Sequence, residues 1–311
     1  MKKYLAFAAV ATMLVSCSQN DDIIPKDDLK DTPITVTAGV AELATRAGYA
    51  TGNLPSTFYL SIDQTGTDYD YTNVLMKNVD GTWKAYESDG TTEKTLLWAS
   101  GTETVSVTAA TFSLDGAQDL SVSDDQRWTA YVYESDHLYM ATVSGVKPSA
   151  DGISVTFSHI MSKVVLTITL GDEFNGTSNP ISYVCFQGTL ASRNYNAGTW
   201  TDIADVTATD IISFANSYTP INVENNITNA TAEYEVILVP QTVAENGFSV
   251  KIVMDDRFYV WTSSKAVTFE SGNKYTLALT VGKDKVSSAA FSSAAWITGE
   301  NDSNNLSGET E

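Results

Sequence analysis

From Ile34 onward, apolar and polar residues alternate in short runs. Ile34, Val36, Ala38 and Val40 are separated by Thr35, Thr37 and Gly39. Phe58, Leu60 and Ile62 repeat the pattern, then Val105 and Val107, then Trp128, Ala130 and Val132, then Ile153, Val155 and Phe157. The second half is more regular. It carries Val164, Leu166, Ile168 and Leu170, then Tyr234, Val236 and Leu238, then Val250, Ile252 and Met254, and last Tyr275, Leu277, Leu279 and Val281. A period of two puts each set on one face of a strand and leaves the other face polar. Asp80-Gly81, Asp89-Gly90, Asp115-Gly116 and Asp151-Gly152 mark turns between such runs, because both residue types tolerate positive φ. No amphipathic helix longer than about two turns is predicted. Many short strands with frequent turns predict an all-β protein of two tandem β-sandwiches. The boundary is expected within Phe157–Lys163, ahead of the most regular strand.

The opening residues follow another pattern. Lys2 and Lys3 precede an apolar run from Tyr4 to Val15. This is the layout of a secretory signal, and it is shorter than the ~20 residues of a membrane-spanning helix. The run ends in Leu14-Val15-Ser16-Cys17, which resembles the bacterial lipobox. That resemblance implies removal of residues 1–16 and lipidation of Cys17, with attachment to the outer membrane through acyl chains. Two or more chains give stable anchoring. Ser18-Gln19-Asn20-Asp21-Asp22 resembles the acidic export signal of surface lipoproteins in the Bacteroides group. Residues 18–33, polar and holding Pro25 and Pro33, read as a tether.

Composition narrows the function. The 311 residues include 18 Lys+Arg against 38 Asp+Glu, a net charge of −20. Such a chain is not expected to bind nucleic acid, whose phosphates call for Lys and Arg. An apolar fraction of 43% is enough for a folded core. Two His and two Cys supply little for a metal centre or a disulfide framework. No cofactor and no metal is expected, and no catalytic residue stands out.

Arg46 is the one arginine between Cys17 and Lys77, set among Ala44, Thr45, Ala47 and Gly48. Small neighbours leave an extended backbone open to a protease. Ala44-Thr45-Arg46-Ala47, preceded by the lipobox and a first strand, resembles the head of the fimbrillin family, the type V pilins. Further segments resemble that family in order: Ser135–Ala141, Phe157–Val164, Val239–Thr242, Phe269–Thr276 and Ala295–Gly299. The resemblance implies two transthyretin-like, Greek-key β-sandwiches and no enzymatic activity. It implies a surface lipoprotein cut by an Arg-specific protease, here at Arg46–Ala47. The cut would release the lipid and the strand bearing Ile34, Val36, Ala38 and Val40.

Losing that strand leaves unpaired N–H and C=O groups and empty apolar slots. Each vacated large apolar side chain forgoes roughly 1.5–3 kcal/mol. A strand from the next pilus subunit can refill both, and head-to-tail contacts of this kind build filaments. In the family the donor comes from the C-terminal region, here Val286–Thr298 with Phe291, Ala295 and Ile297. That stretch is rich in Ser and Ala, which suits a tip or accessory subunit better than a stalk subunit. The expected organisation is a signal at 1–16, a lipidated tether and removable strand at 17–46, sandwiches at 47–158 and 159–299, and an acidic tail at 300–311. The adhesion partner would be a host protein or glycan. The alternative function is a permanently anchored, glycan-binding surface lipoprotein.

Other residues have plainer readings. Cys185, in an apolar strand, reads as a buried free thiol. His159, on the face of Phe157 and Val155, reads as a half-buried structural histidine. His137 lies beside Asp136, but no third ligand is spaced for a metal. Most of the six tryptophans are expected in the cores.

Overall fold

The alternating runs become strands that bury one face in either of two apolar cores. The computed structural model describes residues 29–41, 48–49, 53–174, 177–225, 227–254 and 257–296. The signal at 1–16, Cys17, Arg46, Ala47, Ile297 and the acidic tail lie outside the described residues. Among the described residues the fold is all-β apart from one seven-residue helix, Thr129–Ser135, and two short 3-10 turns. No helix among the described residues is long and apolar enough to cross a membrane.

The first core is wrapped by an eight-stranded sheet. Its order is Val36–Val40, Ile153–His159, Leu138–Val146, Val105–Ala110, Thr57–Asp63, Tyr71–Val79, Thr82–Tyr86 and Glu93–Lys94. Phe58, Leu60 and Ile62 are fully buried, as the alternation required. Phe58 meets Trp83 and Phe157 edge-on, with centroids 4.6 and 5.3 Å apart. Asp80-Gly81 forms the expected two-residue turn between Tyr71–Val79 and Thr82–Tyr86, with φ of 51° and 84°.

The second core lies between two sheets. One is five-stranded: Phe214–Thr219, Thr231–Leu238, Ser162–Leu170, Asn273–Val281 and Val286–Ala295. The other is four-stranded: Ala208–Ile212, Ile181–Leu190, Ser249–Met254 and Arg257–Thr262. Ser162–Leu170 is central and pairs with an antiparallel neighbour on one side and a parallel one on the other. This explains its near-continuous burial.

One expectation needs correction. Trp128, Ala130 and Val132 are not strand residues; they flank or form the Thr129–Ser135 helix. Three alternating positions are too few to separate a period of two from 3.6. Val132 and Ser135 face inward at helical spacing, and Ser135 Oγ donates to the Tyr131 carbonyl. Residues 118–135, expected in the first sandwich, are stitched to the second core. Gln118–Ser121 pairs with Ser192–Asn196. The buried Gln126 side chain bonds both backbone groups of Ile237, at 2.7 and 2.8 Å. Leu120, Val122 and Val132 belong to the second core.

Candidate functional site

The strand expected at Ile34–Val40 spans Val36–Val40 and lies at one end of the eight-stranded order. It runs parallel to Ile153–His159, with Val36 opposite Ile153 and Val40 opposite Phe157. Ile34, Val36 and Val40 are buried in the first core, while Ala38 is half-buried and packs against it. The residues before the strand bond the opposite end of the sheet. Asp31 N–H donates to the Trp98 carbonyl, Trp98 N–H to Thr32, and Ile34 N–H to Leu96. Ile153 N–H then donates to Thr35, and Ala41 N–H to Phe157. One segment thus fastens both sheet ends. Gly152, at φ +79°, leaves room for it: a Cβ there would fall 2.0 Å from the Thr35 carbonyl oxygen.

The chain is fastened again at Gly48–Tyr49. Tyr49 N–H donates to Asp136 Oδ2 at 2.7 Å, and its ring stacks on Tyr133 at 5.1 Å. Gly48, at φ +92°, passes so close that a Cβ would lie 2.7 Å from Asp136 Oδ2. The other carboxylate oxygen, Asp136 Oδ1, takes the Nδ1 proton of His159 at 2.8 Å, with both side chains buried. The His159 ring lies flat on Trp296, 3.9 Å away and tilted 7°. Lys163 Nζ sits 5.6 Å from the same indole and pairs with Glu235 at 2.9 Å, deep in the protein. Residues from the N-terminal anchor, the junction and the C-terminal strand end therefore meet in one buried seam.

The C-terminal strand Val286–Ala295 is the last in its sheet and pairs antiparallel with Asn273–Val281. Phe291 is buried and stacks on Tyr275 at 5.9 Å. Ala295 sits opposite Asn273, and its side chain, like Ile297, falls outside the described residues. Trp296 N–H closes the strand by donating to the Gly272 carbonyl at 2.7 Å.

A family model described as fimbrillin-like matches residues 44–296. The chain belongs to the fimbrillin-like family. Two solved structures share its fold. A "putative cell adhesion protein" of Bacteroides ovatus is 19% identical, covering 87% of this chain and 99% of that one, with a TM-score of 0.61. A second protein so described, from Bacteroides uniformis, is 18% identical, covering 86% and 100%, with a TM-score of 0.60. No curated protein matches this sequence.

A fimbrillin-like chain is a structural and adhesion protein of the cell surface that assembles with other fimbrial subunits; it is not an enzyme. The remaining candidate residues of this fimbrillin-like protein take structural roles. Burial, with Asp210 nearby, pushes the Cys185 thiol up to about 12, far from a reactive thiolate. His137 bonds the Ser121 carbonyl through Nε2 at 3.0 Å, and burial lowers its pKa. No group of three or more potential metal ligands occurs among the described residues. Five tryptophans are buried or half-buried; Trp128, beside the helix, is 66% exposed. His159 is more buried than its alternation alone required. Its partners Asp136 and Trp296 are 23 and 137 positions away, and no spacing rule links them.

Proposed function

We propose that this protein is a fimbrial subunit, of tip or accessory type, exported as a lipoprotein on Cys17. An Arg-specific protease cuts Arg46–Ala47, and the Val36–Val40 strand then leaves the first sandwich. A strand from a neighbouring subunit occupies the vacated edge. In turn, the C-terminal strand with Phe291, Ala295 and Ile297 is the candidate donor. The domain limits follow the two cores, with 118–135 counted in the second.

One observation carries this reading. The chain is held in the first sheet up to Ala41 and held again, by different partners, at Gly48–Tyr49. A cut between the two anchors separates a removable strand from a body whose own fastening stays whole. The removable part ends in an edge strand, so its loss breaks the ladder to Ile153–His159 and the backbone bonds to Leu96 and Trp98, and leaves the ladders among the other strands intact. Ile34, Val36 and Val40 would each open a slot worth roughly 1.5–3 kcal/mol to a replacement.

The test is limited digestion with an Arg-specific protease, followed by N-terminal sequencing. A stable fragment beginning at Ala47 is expected. Arg46→Ala should leave a folded, lipidated and unpolymerised protein. Filaments from that variant would refute the processing step, and the permanently anchored lipoprotein would become the better reading.

A further inference from the structure

A cavity of about 250 Å³ opens where the two cores meet. One wall is aromatic. Phe112, Tyr139 and Tyr195 pack with centroids 5.6 to 6.3 Å apart, and Tyr195 leans on Trp200 at 4.8 Å. Hydroxyls of Ser61, Thr108 and Thr142 line it too, with Asn196 from the neighbouring hairpin. Thr108 and Thr142 are bonded to each other at 2.7 Å. The Tyr139 hydroxyl and the Asn196 side-chain amide make no hydrogen bond among the described residues, so both are free for a ligand. The walls come from strands of both cores and are positioned by packing.

Charge sharpens the picture. The chain has 56 charged residues by the count of 18 basic and 38 acidic, yet none lines this cavity. A larger cavity of about 520 Å³, bordered by Arg193 and Gln241, lacks this character. There the polar groups are already engaged: Arg193 with Asp202 at 2.8 Å and with the Pro240 carbonyl, and Gln241 with both backbone groups of Leu190.

The geometry points to a binding site for the terminal ring of a neutral saccharide. A sugar ring presents an apolar C–H face and a rim of hydroxyls, and this cavity presents an aromatic wall and uncharged donors and acceptors. Its volume lies below the ~300 Å³ at which sites for drug-sized ligands begin, so it suits one ring rather than a chain. This assignment deepens the adhesion role and does not depend on processing, because the cavity borrows nothing from residues 1–46.

The experiment is saturation-transfer NMR on the full chain with methyl glycosides of glucose, galactose, mannose, fucose and N-acetylglucosamine. Galacturonic acid serves as the anionic probe and N-acetyltyrosine amide as the peptide-like one. At least one neutral glycoside should bind, and galacturonic acid should not. Asn196→Ala, at an exposed hairpin position, should weaken binding at least fivefold. Thr142→Trp, which fills the cavity from an exposed strand position, should abolish it. Silence from all five glycosides would overturn the assignment, as would binding that survives Thr142→Trp or displacement by N-acetyltyrosine amide. Cleavage at Arg46–Ala47 is read separately, so either result can fail while the other stands.

Discussion

The imidazole of His159 lies face to face with the indole of Trp296, 3.9 Å between centroids. His159 ends the last strand of the first sheet, and Trp296 follows the last strand of the second. The stack thus ties the junction to the end of the C-terminal strand. Trp296→Ala should remove this tie. Truncating a buried tryptophan costs about 3–5 kcal/mol. Amide exchange should rise across Val286–Ala295 more than across Ser162–Leu170. Equal protection in both strands would show that the stack does not hold the terminal strand.

Asp136 serves two donors with two oxygens, Tyr49 N–H and His159 Nδ1–H. Asp136→Asn keeps the shape but turns one acceptor into a donor facing a donor. Leaving one buried group unsatisfied should cost about 1–3 kcal/mol. Thermal denaturation should report a lower Tm, and exchange at Tyr49 should quicken. An unchanged Tm would mean that the seam repacks freely.

Gly152→Ala separates the strand from the body. The added methyl would strike the Thr35 carbonyl oxygen, at 2.0 Å, as well as forcing alanine to φ +79°. In the uncut chain both penalties apply, and the first strand should loosen. In a fragment starting at Ala47 only the backbone cost of about 1–2 kcal/mol remains. Denaturant unfolding of the two forms should therefore give a larger loss for the uncut chain. Equal losses would argue against the close seating of Thr35.

Burial lowers the pKa of His137, so the folded state favours its neutral form. In the unfolded chain it titrates near its ordinary value of about 6.5. Below that pH the unfolded state binds more protons, and stability is lost as pH falls toward the lowered folded value. His137→Gln should flatten this part of the profile. The difference between wild type and variant isolates the contribution of His137. Parallel Tm curves between about pH 7.5 and 5 would refute the burial argument.

Cys185 should be inert in the native state, with its thiol pushed up to about 12. With Cys17→Ser in place, a thiol reagent near neutral pH should react slowly with the folded protein and quickly in denaturant. Fast native labelling would show that the strand opens readily.

The period-two runs identified the strands well where one face is buried and the run is long, as in Val164 to Leu170 or Tyr275 to Val281. Short runs misled. Around Trp128 the side chains buried by tertiary packing, Val132 and Ser135, follow a helical spacing. That Val36–Val40 forms a strand was legible from its alternation. Its parallel pairing was not, because Ile153–His159 lies more than a hundred positions away. The buried seam was illegible for the same reason. Asp136, His159 and Trp296 each look ordinary in their own segments, and only chain crossings between the cores bring them together. Residues 118–135 likewise carry no local sign that they cross to the second core.

The first strand lies parallel to its neighbour, with Val36 opposite Ile153. Parallel ladders are slightly weaker per residue than antiparallel ones. An incoming strand laid antiparallel along Ile153–His159 would fill the same slots and make the stronger ladder. The resident strand would then hold the edge with its side chains well seated but its ladder slightly short of the best available. If the proposed cut is made, that slight per-residue gain would favour the replacement, and a polymer could grow outside the cell with no nucleotide to drive it.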